Sequence, residues 1–386
     1  MIYLDNSATT AISAEAKSAM LDAMDNFANP SSLHKAGQAA GKILTSARKS
    51  VANALGLRSV VPGQILFTSG GTEANNTAIF GTVYAKKRRI SNRIISTDSE
   101  HPSVENALQR LEADGFEVIR ISTRGGVFDI DAFEKVMDNN VLLVSVMMVN
   151  NETGAVYDVQ KIFSAAKRKN PDVITHCDAV QGYLKIPFSP QKLGADLVSI
   201  SAHKIHGPKG IGALYVSPEI IKTKKIIPYM IGGGQESGLR SGTENVLGMV
   251  GFSAAAKVGF DKLEENREKM LNLRQLAEAE IIRAGAQINT PMGARAPHII
   301  SVRLPSIKSE TMLNFLSAKG ICVSAGSACS SHSQHISSAL VGFGLTKEQA
   351  DSTIRVSLSD YNTEDEIKEL GQALSSGISM LVRFKR

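Results

Sequence analysis

The sequence has only three cysteines, Cys177, Cys322 and Cys329, among 386 residues. So few thiols cannot build a disulfide framework, which indicates a reducing compartment. The first residues show neither the basic segment nor the apolar run of a secretory signal. The longest apolar stretch, residues 141–149, is too short to cross a bilayer. These absences argue against a secreted or membrane-spanning protein and predict a cytoplasmic one.

The sequence also lacks any long run of charge of one sign. The formal net charge is +6 and the pI is about 9.1, but basic residues cluster only briefly, at 86–89 and 222–225. Because such short runs usually form solvated faces, charge alone does not favour direct nucleic-acid binding. There are no internal repeats or low-complexity tracts, and a chain of this length is expected to form about two domains.

Short apolar segments alternate with helix-length segments between residues 64 and 216. This alternation predicts an α/β domain with a mostly parallel sheet and helices on both faces. Ligands of such domains bind at the carboxyl ends of the strands. The candidate strands are Ile65–Thr68, Arg93–Ser96, Glu117–Ile121, Val141–Val149, Val173–Cys177, Asp196–Ser201 and Ile211–Val216. The candidate helices include Glu73–Lys87, Ser103–Ala113 and Val159–Lys169.

One long charged helix is predicted over residues 253–284, because apolar residues from Leu263 to Ile281 recur at helical spacing. The residues that follow repeat the α/β pattern on a smaller scale, which predicts a smaller C-terminal domain. Its candidate elements are the strands His298–Val302, Cys322–Ser324 and Thr353–Leu358 and a helix near Glu310–Lys319.

Lys204 and Asp178 each follow an apolar candidate strand. A lysine at the end of a buried strand loses hydration, so its pKa falls and its amine can form a Schiff base. A carboxylate beside a pyridine nitrogen keeps that nitrogen protonated, and the ring then withdraws electrons. Together the two residues predict a pyridoxal phosphate site; taken singly, each is more often an ordinary polar residue at a sheet edge.

Three further turns after candidate strands carry polar groups. The turn at 69–72 opens a helix whose free N–H groups suit a phosphate, but a plain turn capped by Thr72 is also possible, and the lysine of a nucleotide P-loop is missing. His101, before Pro102, can stack on a planar ring and move protons, or simply cap a helix at the surface. Asn151 can hydrogen-bond a ligand or belong to a simple turn.

Two segments rich in small residues complete the candidate site. Residues 232–245 predict a tight or mobile loop, whose Thr243 can donate to a phosphate. Cys329 lies among glycine, serine and alanine residues, where a thiol is accessible and reactive. His332 and His335 give Cys329 the spacing of metal ligands, but no fourth ligand follows, so no metal site is predicted.

At these motifs the sequence resembles the cysteine desulfurases, the NifS-like group of the pyridoxal phosphate class V aminotransferase superfamily. The likeness implies the aspartate aminotransferase-like fold (fold type I). Its large domain, 16–260, would hold a mostly parallel seven-stranded sheet, and 1–15 plus 261–386 would form a smaller α/β domain that carries the cysteine loop. The matching segments are Tyr3–Thr10, Asn29–His34, Gly70–Asn76, Asn150–Gly154, Ser201–Lys204, Arg240–Asn245 and Gly326–Ser331.

The resemblance also implies roles for individual residues. Lys204, Cys329 and His101 would be catalytic, with Lys204 bound covalently to the cofactor and Cys329 accepting sulfur. Asn151 and Arg355 would hold the substrate, the arginine gripping its carboxylate. The cofactor would be bound by Gly71, Thr72, His101, Asn151, Asp178, Gln181, Ser201, His203, Lys204 and Thr243, the last reaching in from the other subunit of a homodimer.

The implied activity is removal of sulfur from L-cysteine, which gives L-alanine and a Cys329 persulfide for an Fe–S scaffold protein or a tRNA-thiolation enzyme. The alternatives are a selenocysteine lyase, an aminotransferase, which needs no thiol, and a scaffold that mainly docks sulfur acceptors. Two positions depart from the family pattern. Ser237 stands where an arginine is usual, and Ser359-Asp360 stands where many members have Gly-Arg or a similar pair; both bear on rim contacts or partner docking.

Overall fold

The structure is a computed structural model that describes residues 1–85, 92–325 and 337–383. Its strands alternate with helices over the first half of the chain, as the sequence predicts. The strands are β1 Ile2–Tyr3, β2 Ile65–Thr68, β3 Arg93–Thr97, β4 Glu117–Ile121, β5 Val141–Met147, β6 Ile174–Asp178, β7 Leu197–Ser201, β8 Gly212–Val216, β9 Gln287–Ile288, β10 Ile299–Arg303, β11 Ile321–Cys322, β12 Ser324–Ala325 and β13 Thr353–Ser357.

Helices surround these strands, and none within the described ranges is long and apolar enough to cross a membrane. They are α1 Ala14–Ala23, α2 Lys35–Ala54, α3 Gly71–Val83, α4 Pro102–Ala113, α5 Ile130–Val136, α6 Val159–Lys169, α7 Pro190–Leu193, α8 Pro218–Lys222, α9 Val246–Asp261, α10 Leu263–Arg283, α11 Ser309–Ala318, α12 Ser338–Phe343, α13 Lys347–Asp351 and α14 Glu364–Arg383.

A seven-stranded sheet forms the larger layer, in the order β2-β8-β7-β6-β5-β3-β4. Every neighbouring pair from β7 to β4 is parallel, whereas β8 runs antiparallel to both β7 and β2. The predicted mostly parallel sheet of seven strands is therefore confirmed. Because parallel strands share one direction, the carboxyl ends of β6 and β7 meet at the same edge of the sheet.

Both faces of this sheet are buried under helices. On β2, Ile65 and Phe67 join one apolar core with residues of α2, α6 and α9, whereas Leu66 joins a second core with residues of α3 and α4. Successive side chains of a strand point to opposite faces, so this alternation identifies the two sides of the sheet. Strands buried on both faces have nearly continuous apolar sequences, as seen in β5, and that made them recognisable.

A smaller antiparallel sheet, β12-β13-β10-β9, lies in the second layer and packs with α10, α11 and α14 around its own core. The chain's first residues belong to this core: β1 pairs with β11, and Leu4 is fully buried among its residues. The sheet brings β13 to the edge of the larger layer. The boundaries of the predicted domains, 16–260 and 1–15 plus 261–386, stay a prediction.

The single helix predicted over 253–284 is wrong. Two helices, α9 and α10, meet at Lys262, whose backbone leaves the helical region (φ −111°, ψ 17°). The reason is that the two helices serve different cores: Phe252 of α9 packs in the core of the large sheet, whereas Leu273 of α10 packs in that of the small sheet. The predicted strand Cys322–Ser324 divides likewise into β11 and β12, which belong to different sheets.

Candidate cofactor site

A cavity of about 310 Å³ lies at the carboxyl ends of β6 and β7. The N-terminal segment, the start of α3 and strand β13 close its other sides. The predicted site residues that line it are Gly71, Thr72, His101, Asn151, Asp178, Gln181, Ser201, His203, Lys204 and Arg355. Thr243 is exposed on the glycine-rich loop and does not line this cavity. Cys329 lies outside the described residues.

Lys204 reaches the cavity from a single 3₁₀ turn, Ala202–Lys204, that follows β7. Its amine donates hydrogen bonds to the backbone carbonyls of Ser7, at 2.5 Å, and Ala8, at 2.7 Å. The N-terminal segment therefore crosses the site and holds the lysine side chain in place. Gln181 binds the same segment, because its side-chain amide donates to the Ser7 carbonyl at 2.9 Å.

Asp178 is the last residue of β6 and is buried. One carboxylate oxygen, Oδ1, accepts from the backbone N–H of Val180 at 3.0 Å. The other, Oδ2, accepts from the side-chain amide of Asn75 at 2.7 Å. With a donor on each oxygen, the carboxylate plane is fixed at the edge of the sheet, where it can face a ring nitrogen.

His101 is both a helix cap and a cavity residue. It is the N-cap of α4, with Pro102 at the first helical position, and its Nδ1 accepts from the Ser103 N–H at 3.1 Å. The capping interpretation is thus correct, but the surface location is not, because the imidazole lines the cavity. Burial lowers the pKa of His101; Asp178 opposes this effect, and the positive charge of Lys204 adds to it.

The start of α3 offers the features of a phosphate site. The first N–H groups of a helix have no partners within it, and its dipole favours an anion. Near them the Ser201 hydroxyl is buried without a hydrogen-bond partner among the described residues. A Cβ at Gly71 would lie 2.8 Å from Val180 Cγ2, so the close approach requires glycine. These residues fit a bound phosphate group.

The alternative of a plain turn capped by Thr72 is wrong. Thr72 lies inside α3, and the N-cap is Gly70, which has no side chain to make a capping bond. His203 lies beside this end of the cavity, with its Nδ1 3.2 Å from the hydroxyl oxygen of Thr9. Burial, together with the charge of Lys204, lowers the pKa of His203 to about 4, so the imidazole is neutral at neutral pH.

Arg355 brings the small sheet into the site. It lies on β13, and its Nη2 is 3.1 Å from the Asp5 carboxylate while its Nη1 donates to the Asn151 carbonyl at 2.9 Å. Its Nε is buried with no partner among the described residues. A guanidinium has five N–H donors, so the Arg355 group retains donors for a ligand.

Sequence reasoning assigned no role to three residues that organise the site: Asp5, Asn75 and Ser103. Asp5 pairs with Arg355 across 350 positions of sequence, which no local pattern can reveal. Asn75 had one available signal, because it lies four residues after Gly71 on the same helix and therefore on the same face. Since Gly71 faces the site, this spacing places the Asn75 side chain at the site as well.

The glycine-rich loop is anchored to the same helix, since Arg240 Nε lies 2.7 Å from the Glu73 carboxylate. Burial opposes ionisation of Glu73, but hydrogen bonds from Arg240 and Ser69 hold its pKa below the ordinary value. Of the two family departures, Ser237 is exposed with a left-handed φ of 60°. Asp360 lies 3.3 Å from His206 Nε2 and so joins the small sheet to the segment after Lys204.

Glu100 is buried directly behind the site. Its Oε1 accepts from the Thr97 hydroxyl at 2.8 Å and from the Met147 N–H at 2.9 Å. Burial raises the pKa of Glu100 to about 8; the Met147 bond opposes this, and the charge of Asp178 adds to it. Glu100 is therefore mostly protonated at neutral pH.

A pH dependence of stability follows. A folded-state pKa near 8, above the ordinary value, means that the folded protein holds this proton more tightly than the unfolded chain. Stability should therefore fall as pH rises toward 8, by up to about 1.4 kcal/mol per pH unit from this group. In the apo-protein, Glu100→Gln should reduce the loss of melting temperature between pH 6 and 8.5, whereas Glu219→Gln at an exposed position should not. Equal pH profiles for wild type and Glu100→Gln would contradict the assignment.

Comparison with known proteins agrees with this geometry. Residues 2–370 match the family model for aminotransferase class-V. A cysteine desulfurase of Trichormus azollae is 37% identical over 385 residues, which cover 99% of this chain and 94% of the relative. A solved NifS-like protein is 36% identical with a TM-score of 0.91, covering 98% of this chain and 99% of its own.

A second solved structure, SspA in complex with cysteine, is 30% identical with a TM-score of 0.79, over 94% of this chain and the whole of that one. The fold predicted from the sequence is thereby confirmed. The chain belongs to the class-V aminotransferases, a family of pyridoxal phosphate-dependent enzymes, and within them to the cysteine desulfurases.

Proposed function

We propose that this protein removes sulfur from L-cysteine with pyridoxal phosphate, releasing L-alanine and leaving a persulfide on Cys329. The observation that carries the proposal is the convergence of Lys204, Asp178, His101 and Arg355 on one cavity. These residues come from both sheets and from distant parts of the chain. An amine, a fixed carboxylate, a neutral imidazole and a guanidinium are the groups that this chemistry needs.

Different residues of the cavity are assigned to different parts of the cofactor. When bound, pyridoxal phosphate supplies an aldehyde that reacts with amines and a protonated ring that accepts electrons. Lys204 is proposed to hold it covalently and Asp178 to face the ring nitrogen. Gln181 would lie near the ring hydroxyl, and His101 would pack against the ring. The phosphate would be held by Gly71, Thr72, Ser201 and His203, with Thr243 supplied by a second copy of the chain.

The substrate end of the cavity is assigned to Arg355 and Asn151. Arg355 is nearly buried, with 5% of its side chain exposed, so a carboxylate bound there is largely removed from water. Two N–H groups of its guanidinium already hold Asp5 and Asn151. The others are available to grip a carboxylate through charge-assisted hydrogen bonds.

Proton and sulfur transfer complete the proposed reaction. The Lys204 amine would take the α-proton of the substrate, and His101, whose pKa is lowered by burial, would move a proton beside it. The Cys329 thiolate attacks the substrate sulfur, so that a sulfur–sulfur bond forms as the carbon–sulfur bond breaks. The electron pair of the broken bond stays with the substrate carbon, and protonation of the β-carbon together with return of the α-proton from Lys204 then gives alanine.

A homodimer in the cytoplasm is part of the proposal. Thr243 supports it, because this residue is exposed and stands outside the cavity of its own chain, where it is free to serve the site of a partner. The persulfide would pass to an Fe–S scaffold protein or a tRNA-thiolation enzyme. The chemistry of Cys329 is compatible with either acceptor.

The function is tested by incubating purified protein with cysteine and a thiol reductant but no keto acid. We expect alanine and sulfide in equal amounts over many turnovers. Alanine that appears only after a keto acid is added would identify an aminotransferase instead. Release of selenium from selenocysteine with no activity on cysteine would identify a selenocysteine lyase.

Arg355→Lys should raise KM for cysteine by about 10–100-fold, because one amine replaces a guanidinium that donates several charge-assisted bonds. Lysine keeps a positive charge beside Asp5, so the fold should be retained, and kcat should change much less than KM. Arg303→Lys, on the neighbouring strand β10 and outside the cavity, is the control. An unchanged KM in Arg355→Lys would remove this residue from the substrate site.

A further inference from the structure

Asn75 makes hydrogen bonds in two directions from a buried position on α3. Its side-chain amide donates to Asp178 Oδ2 at 2.7 Å and to Ser103 Oγ at 2.8 Å, and only 1% of the residue is exposed. The orientation of the amide follows from chemistry, because an ionised carboxylate only accepts hydrogen bonds. Both N–H groups of the Asn75 amide are therefore used.

Ser103 extends the path from Asn75 to His101. Its hydroxyl oxygen accepts from Asn75 and lies 2.8 Å from His101 Nδ1. The Ser103 backbone N–H donates to the same Nδ1 at 3.1 Å. Because the backbone N–H donates to Nδ1, this nitrogen carries no proton, and the serine hydroxyl, whose oxygen already accepts from Asn75, gives its one hydrogen to the same Nδ1. A neutral imidazole whose Nδ1 accepts carries its proton on Nε2.

Asp178 and His101, which this path of hydrogen bonds joins, do not lie on the same strand. Asp178 ends β6 and His101 follows β3, and β5 lies between those strands in the sheet. The ladder of the sheet fixes the backbones, but it does not fix the carboxylate plane or the imidazole tautomer. The hydrogen-bonded side chains of Asp178, Asn75, Ser103 and His101 fix the carboxylate plane and, together with the Ser103 backbone N–H, the tautomer.

We infer that Asn75 is a positioning residue: its amide fixes the Asp178 carboxylate that would face the cofactor ring and, through the Ser103 hydroxyl, adds to the backbone N–H bond that holds the His101 tautomer. This inference rests on the proposed function and adds a residue to it. With its proton on Nε2, His101 presents an N–H donor rather than a lone pair from that nitrogen. Asn75 thereby links ring binding at Asp178 to the proton position on His101.

The neighbouring Asn76 provides a matched control. Its amide also makes two hydrogen bonds from α3, to the Thr72 carbonyl at 3.0 Å and to the Ser103 carbonyl at 3.0 Å. It therefore touches the same serine but reaches neither the Ser103 hydroxyl nor Asp178. The Asn76→Ala variant therefore measures the general effect of removing an asparagine side chain from this helix.

The first readout is the affinity of the apo-protein for pyridoxal phosphate, followed by visible absorption. Asn75→Ala should weaken binding by about 10–100-fold, since a buried carboxylate loses a donor. Asn75→Asp, which keeps the shape but places two carboxylates together, should weaken it at least as much and serves if the alanine variant misfolds. Asn76→Ala should stay within about twofold of wild type.

The second readout is the ¹⁵N spectrum of histidine-labelled apo-protein, with His101 assigned from its loss in His101→Gln. Wild type should show Nε2 protonated and Nδ1 unprotonated. Asn75→Ala and Ser103→Ala should both move the His101 signals toward a mixture of tautomers, and the double variant should move them no further. Asn76→Ala should leave them unchanged.

Three outcomes would overturn the inference: a His101 proton on Nδ1 in wild type, unchanged affinity and tautomer in the folded Asn75 variants, or equal effects of the Asn75 and Asn76 substitutions. Failure of the proposed function would look different, because the wild-type protein would then form no alanine from cysteine in the absence of a keto acid, whatever the Asn75 variants do.

Discussion

Lys204→Ala should yield a protein that binds pyridoxal phosphate without the absorption band of a covalent lysine adduct and forms alanine from cysteine about a thousandfold more slowly or worse. The reason is that one amine supplies two functions, attachment of the cofactor and removal of the α-proton, and a positioned general base alone contributes about 10²–10⁴-fold. Absorbance before and after borohydride treatment, with alanine formation, measures both.

The variant should still fold. Lys204 donates to the carbonyls of Ser7 and Ala8, and because it is only half-buried, water can replace these bonds at a cost of about 1–2 kcal/mol. Lys209→Ala, an exposed lysine five residues later, should keep the band and the activity. A Lys204→Ala protein that remains yellow and is still fixed by borohydride would show that another amine carries the cofactor.

The sequence predicted the parts of the site that depend on local pattern. Asp178 and Lys204 were recognisable because each ends an apolar run that is buried on both faces of a sheet, and parallel strands bring their carboxyl ends together. The segments between those runs could be several residues longer or shorter, and the carboxyl ends of the strands would still lie at the same edge of the sheet. Strand ends in a parallel sheet are therefore accessible to prediction from sequence alone.

Other features depend on which surfaces meet, and local pattern does not contain that information. The break at Lys262 arises because α9 and α10 pack into different cores, whereas the apolar spacing used to predict one helix runs from Leu263 to Ile281 and lies within α10. The pairs Arg355–Asp5 and Asn75–Asp178 join residues 350 and 103 positions apart. Their contacts follow from the tertiary arrangement, so only the structure could identify Asp5 as a site residue, whereas for Asn75 the helical spacing from Gly71 was the one available signal.

Cys329→Ser should leave the cofactor band intact and abolish the release of sulfide from cysteine. Serine keeps the size of the side chain, but its hydroxyl is not ionised near neutral pH and cannot accept sulfur as a persulfide. Activity of the wild-type enzyme should likewise fall as pH drops below the pKa of this thiol, because only the thiolate attacks. Sulfide and alanine assays from pH 6 to 9 test both statements.

The other two thiols are suitable controls because neither lines the cavity. Burial raises the pKa of Cys177 well above its ordinary value, with Asp178 and Glu100 adding to the effect, so this thiol stays protonated. Cys322 is half-buried in β11. Cys177→Ser and Cys322→Ser should therefore keep most sulfide release per folded enzyme. If Cys329→Ser kept multiple-turnover sulfide release while one of these variants lost it, the nucleophile would be that other cysteine and the proposed sulfur path would be wrong.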